Sequence, residues 1–202
     1  MTSEKLDDEA LLQKFNDGDS DAFATLLERY RRPIYNFIYR SVRDSSHAEE
    51  LYQDVFLRVV QRSHEFKGQS KFSTWLYTIA RNLCIDHSRK MVFRRHRSLD
   101  APARGAKDEG ASLLDRVEGG GLDANRTAIS KEISSKIAEA VELLPDEQRE
   151  VFLMRQVNHL PFKEIAAIIG VPENTVKSRM RYALERLQEA LAEYREYAQQ
   201  LS

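Results

Sequence analysis

The sequence predicts an all-α protein of two small helical domains joined by a flexible linker, the second a four-helix domain containing a helix-turn-helix. Three observations carry this. Only 8 of 202 residues are glycine and 5 are proline, which leaves few turns for a sheet-based fold. Apolar residues recur at three- and four-residue spacing in both halves. Between the halves, "SLDAPARGAKDEGASLLDRVEGGGLDANRT" breaks every helical period with Pro102, Gly105, Gly110 and the triplet Gly119 to Gly121. About thirty residues of such composition are uncommon inside a compact domain. Domains are therefore expected at 1–97 and 127–202, with a linker at 98–126.

In the first domain, "DSDAFATLLERYRRPIYNFIYRSV" offers Asp19 or Ser20 as a cap, then Phe23, Leu26, Leu27 and Tyr30 on one face. Pro33 kinks this helix or opens the next, and Ile34, Phe37, Ile38 and Val42 continue the face. Ser46 and Glu49 stand at capping-box spacing, so a helix is expected to start near residue 46, with Leu51, Tyr52, Val55, Phe56 and Val59 as its apolar side. "HEFKGQSK" is a loop around Gly68. "FSTWLYTIARNLCIDHSRK" then resumes a helix striped by Phe72, Leu76, Ile79 and Leu83, with Arg81, Asn82, His87, Arg89 and Lys90 away from the stripe.

In the second domain, Ile129, Ile133, Ile137 and Val141 mark a helix that ends before Pro145. "PDEQREVFLMRQV" starts the next, with proline and acids where a first turn wants them. "PFKEIAAII" and a long last helix from about Pro172 to Tyr197 complete four.

A formal net charge of -1 conceals clusters of opposite sign. From Arg62 to Arg97, nine basic residues (Arg62, Lys67, Lys71, Arg81, Arg89, Lys90, Arg94, Arg95 and Arg97) face only Glu65 and Asp86, a plausible nucleic-acid surface. Residues 4–28 are acidic and should avoid DNA. A single cysteine, Cys84, excludes an internal disulfide framework. No apolar run approaches the roughly 20 residues that span a bilayer, and the N-terminus lacks the basic start of a secretory signal. A cytoplasmic protein is expected. Cys84 and His87, one turn apart, make no closed metal site, and are read as a buried thiol beside a surface imidazole.

"EIAAIIGVPENTVKSRMRYAL", 164–184, carries the functional signal. A helix-turn-helix needs a small residue at the crossing, a glycine that ends the first helix and an apolar anchor on the second, and Ala166, Gly170 and Val176 supply them. At 100° per residue, Val176, Met180, Ala183, Leu184 and Leu187 share an inward face. Asn174, Lys177, Ser178, Arg181 and Tyr182 lie opposite, with Arg179 at the flank. Such donors reach guanine and adenine edges, and flank arginines hold phosphates.

Residues 144–191, from "LPDEQREVF" to "ERLQEAL", resemble the domain of sigma-70-family transcription initiation factors that reads the minus-35 promoter element. "HAEELYQDVFLRVV" and "FKGQSKFSTWLYTIARNLCIDHSRK" are similar to the other conserved domain of the small extracytoplasmic-function group. The resemblance implies minus-35 contacts from Asn174, Thr175, Lys177, Ser178, Arg179, Arg181 and Tyr182. It implies minus-10 recognition by a base-capturing loop, Phe66, Gly68, Gln69, Ser70 and Lys71, and by Arg81, Asn82, Arg89 and Lys90 on the strand. Phe72, Trp75 and Tyr77 are read as core, with base stacking as the alternative. It implies docking on core RNA polymerase by Glu49, Glu50, Leu51, Gln53, Asp54, Phe56, Leu57 and Arg58, with an ordinary packing helix and Leu51 in the core as the alternative. His47 and Asp54 stand where the family often has aspartate and glutamate.

The implied partners are core RNA polymerase, promoter DNA and an anti-sigma factor, often membrane-anchored, with no cofactor and no small-molecule substrate. The implied role is a promoter-specificity subunit that catalyses nothing itself and serves a stress or envelope response. The rival reading is a stand-alone helix-turn-helix regulator, against which the "AEELYQDVF" block argues. An enzyme reading finds no cluster of carboxylates or activated nucleophile on a shared face.

Overall fold

A computed structural model describes residues 6–97 and 135–192, with no side-chain placement at 95–97. The expected linker, Ile129, Ile133, the side chains of Arg95 and Arg97, and the far end of the last helix lie outside the described residues. Among the described residues there are helices and no strand. The chain divides into two compact units, Met1–Asp108 with Lys163–Gly170, and Glu109–Phe162 with Val171–Ser202.

The first unit holds α1 (Asp8–Asn16), α2 (Ser20–Val42), α3 (Ser45–Arg62) and α4 (Phe72–Arg97). Three aspartates open three of these helices by accepting orphan backbone N–H groups. Asp7 takes Ala10 at 2.7 Å, Asp19 takes Asp21 and Ala22 at 3.0 and 3.2 Å, and Asp44 takes His47 at 2.7 Å. Asp44, in extended backbone, thus caps α3 in place of the expected Ser46 and Glu49 pair. The helix α1 was not anticipated. Its acids stand out in the sequence more than Leu11 and Leu12, which it buries.

The helix α2 runs through Pro33 without a break. An interior proline costs about 3 kcal/mol, but Leu26, Ile34, Phe37 and Ile38 on the same helix are all buried, each worth about 1.5–3 kcal/mol. Val55 and Val59 of α3 and the stripe Phe72, Leu76, Ile79 and Leu83 of α4 are also buried, and α2 packs on both of these helices. Tyr77 is core too, its ring edge-on to Phe37 at 5.5 Å, and burial pushes its phenol far above the ordinary value. Trp75 is only half-buried. Cys84 is buried.

The second unit contains α5 (135–143), α6 (Asp146–Phe152), a π-helical turn (Leu153–Val157) and α8 (Glu173–Ala190), the last preceded in the chain by α7 (Phe162–Ile169). Val141 is buried, whereas Ile137 is 40% exposed. Arg149, 7% exposed, fastens the α5 to α6 corner. Its guanidinium donates to the carbonyls of Glu142 and Leu144 at 3.3 and 3.1 Å and to Asp146 at 2.5 Å. Val176, Met180, Ala183 and Leu187 of α8 are buried, and α8 packs on α6. Leu184, expected inward, is 41% exposed, because it lies about 80° from Val176 on the helical wheel, beyond the strip covered by α6.

Candidate nucleic-acid and protein interfaces

The turn between α7 and α8 is built as its residue types require. The N–H of Gly170 closes on the Ala166 carbonyl at 2.9 Å, and its φ of +79° lies in the left-handed region that glycine enters without cost. Pro172 precedes α8 in extended backbone, and its carbonyl accepts from Thr175 N–H at 2.9 Å. Proline here gives up an N–H that no helix would use.

The outward face of α8 carries Asn174, Lys177, Ser178, Arg181 and Tyr182, all exposed, with Thr175 half-buried. Lys177 lies 2.7 Å from Glu173 and Arg181 3.6 Å from Glu185, both one turn along the helix. The Arg181 guanidinium also sits 4.8 Å over the Tyr182 ring. Exposed pairs of this kind are worth at most about 1 kcal/mol, so both cations remain available to a polyanion. Arg179 differs. Its side chain is only 19% exposed and pairs with Glu147 at 2.7 Å, a partner 32 positions away that no local spacing could indicate.

In the first unit, residues 66–71 form an exposed loop between the short 3-10 turn Ser63–Glu65 and α4. Gly68 turns it at φ +67°, while Gln69, Ser70 and Lys71 are exposed. Phe66 is half-buried against Trp75, ring centroids 5.4 Å apart. On α4, Asn82, Arg89 and Lys90 are exposed and Arg81 is half-buried; Arg89 has Asp86 4.0 Å away. The two sets therefore share one loop-helix ensemble, with amide, hydroxyl and lysine groups at the loop and further cations along the helix.

The residues expected to dock on polymerase separate into two groups. Glu49, Glu50, Gln53, Leu57 and Arg58 of α3 are exposed and Asp54 is half-buried. Leu51 and Phe56 are 7% and 6% exposed and pack into the core. Phe56 is held by Tyr52 and Phe23 at 5.0 and 6.5 Å. An exposed leucine, 57% accessible in the case of Leu57, on a helix that also exposes Glu49 and Glu50 suits a protein partner better than a phosphate backbone.

At the start of α3, the ring of His47 lies tilted against that of His87 of α4, centroids 4.6 Å apart, and His47 donates toward Asp44, 2.8 Å from its Nδ1. Among the described residues no cluster of three possible metal ligands occurs. Nε2 of His87 is buried without a hydrogen bond. Burial, then His47, hold its pKa below the ordinary 6.5, with Glu50 and Asp44 opposing and Arg94 adding to the lowering. The unfolded chain therefore takes up this proton first. Stability is full above about pH 7 and declines as pH falls through 6.5 toward the folded value. Chemical denaturation from pH 7.5 to 5 should show this slope, and His87→Leu should flatten it.

Known proteins can now be set beside this geometry. The family model described as Sigma-70 region 2 matches residues 26–92, and that of Sigma-70 region 4 matches 134–187. The extracytoplasmic-function RNA polymerase sigma factor SigW of Bacillus subtilis is 33% identical over 180 residues, covering 89% of this chain and 94% of its own. The sigma-E factor of Escherichia coli K12 is 30% identical over 184 residues, covering 91% and 93%. Among solved structures, the sigma factor RpoE of Bartonella quintana, in complex with the anti-sigma factor NepR, aligns with a TM-score of 0.66 at 25% identity, covering 84% of this chain and 96% of that one. Matches to two Sigma-70 regions in one chain thus define a class of transcription initiation factor. The chain belongs to the sigma-70 family, in its extracytoplasmic-function group of alternative sigma factors. No helix among the described residues is long and apolar enough to cross a membrane.

Proposed function

We propose that this chain is a dissociable promoter-specificity subunit that docks on core RNA polymerase through α3, captures and helps melt the minus-10 element with loop 66–71 and α4, and reads the minus-35 element with α8. The domain limits 1–97, 98–126 and 127–202 fit this division. It has no chemistry of its own to perform. The carrying observation is the separation of exposed groups: Glu49, Glu50 and Leu57 on α3, amides and cations on the loop, α4 and α8. A subunit brought to promoters by polymerase needs positive charge only where it touches DNA, because affinity follows the number of phosphates neutralised. An anti-sigma partner, as in the Bartonella complex, would hold the protein inactive by covering the polymerase surface. A stress or envelope signal would release it.

The test is open-complex formation on a promoter library with core polymerase of the same organism. Initiation at selected promoters is expected. Tight operator binding by the protein alone, with no initiation on addition of core, would sink the proposal. Leu57→Asp should lower core affinity at least about tenfold, as loss of a contact residue does, while the thermal midpoint barely moves, since Leu57 packs on little.

A further inference from the structure

The loop 66–71 is fixed at both ends. Phe66 enters against Trp75 and Phe72, with ring centroids 5.4 and 6.3 Å away. At the other end Lys71 leads directly into α4, whose first N–H groups have no partner within the helix. The N–H of Phe72 donates to Oε1 of Glu9 at 2.6 Å, a carboxylate on α1. An anion there also meets the positive end of the helix dipole. The preceding acid, Asp8, takes Arg29 at 2.6 Å and the Tyr30 hydroxyl, and the Tyr30 ring packs edge-on to Phe72 at 5.4 Å. Two consecutive acids of α1 thus tie α2 and the start of α4 together. A third acid, Glu164, takes side-chain donors at the same turn, Ser73 and Thr74 at 3.3 and 3.4 Å and Lys71 at 2.7 Å. It leaves the Phe72 N–H to Glu9.

We infer that Glu9 is a positioning residue for the base-capturing loop: its carboxylate, delivered by α1, fixes the first peptide of α4 and with it the geometry of residues 66–71. The inference rests on the assignment of that loop to the minus-10 element. It gives part of the acidic N-terminal stretch a task beyond keeping away from DNA.

Two readouts test it in the full chain. The protein has one tryptophan, Trp75, which lies against Phe66, so acrylamide quenching of its emission reports loop order. Opening of a duplex promoter with core polymerase reports function. Glu9→Ala is expected to raise quenching and slow opening about fivefold, the loss of one cap, with core affinity unchanged. Glu9→Gln keeps an acceptor oxygen and should restore most of both. Asp19→Ala removes the cap of α2 and serves as the control for lost stability alone; it should leave Trp75 quenching as it is.

Wild-type quenching and opening in Glu9→Ala would overturn the inference, as would equal slowing by Asp19→Ala at a matched thermal midpoint. Should Glu9→Ala fail to fold, Glu9→Asp decides, since it keeps the charge but falls one methylene short; full activity with unchanged quenching then overturns it. If the wild-type chain opens no promoter, the minus-10 assignment falls, while the quenching series still reports whether Glu9 holds the loop.

Discussion

Arg181→Ala should weaken discrimination at the minus-35 element by about 1–3 kcal/mol, roughly 5- to 150-fold, and leave affinity for core polymerase unchanged. The side chain is 64% exposed and its ion pair with Glu185 is long, at 3.6 Å, so nothing strong must be surrendered when it turns to a base edge. Lys177 gives up a closer partner, Glu173 at 2.7 Å, yet this pair is exposed and worth only a few tenths of a kcal/mol. Lys177→Ala should therefore also weaken binding, with the smaller loss if it meets phosphate and the larger if it meets guanine. Arg179→Ala is the informative contrast. It removes an arm already engaged with Glu147, so part of its effect should appear as lost stability. Competition binding of holoenzyme to promoters varied base by base distinguishes these cases. Loss of core affinity in Arg181→Ala would refute the assignment of α8.

The fold class was legible because it depends on spacing alone. The buried stripes of α2 and α4, and Val176, Met180, Ala183 and Leu187 on α8, are the residues that a 100° rotation groups together. Leu184 fails at the edge of that rule, since what decides its burial is the width of the helix packed opposite. The cap of α3 failed for another reason. Ser46 and Glu49 have the right spacing, but Asp44 lies in extended backbone just before the helix, a conformation that residue types alone do not specify.

The site was legible in outline and less so in detail. A family motif names a stretch of helix without regard to its faces, so it takes in the buried Leu51 and Phe56 together with the exposed Leu57 and Arg58. The contacts that organise the interfaces, Glu9 to Phe72 and Arg179 to Glu147, join residues far apart in the chain. No periodicity within either segment records them.

Arg149→Ala should cost the second unit about 3 kcal/mol. The guanidinium donates to the carbonyls of Glu142 and Leu144, where the chain leaves α5, and Leu144 is itself buried. Hydrogen bonds from a charged donor are worth about 1.5–3 kcal/mol each, and a buried carbonyl left unpaired forfeits its hydration as well. The ion pair with Asp146 adds little, for that carboxylate is 91% exposed and screened by water. Asp146→Ala should therefore cost under about 1 kcal/mol despite the short contact. Arg149→Lys keeps the charge but cannot fork to two carbonyls, so it should fall between them. For a unit of this size the arginine loss corresponds to a drop on the order of 10–20 °C in its midpoint. Hydrogen exchange assigns the loss to the correct place: amides of α6 and α8 should lose protection while those of α2 and α4 keep theirs. Equal destabilisation by Asp146→Ala would show that the carboxylate, and not the two carbonyls, is what Arg149 is there to hold.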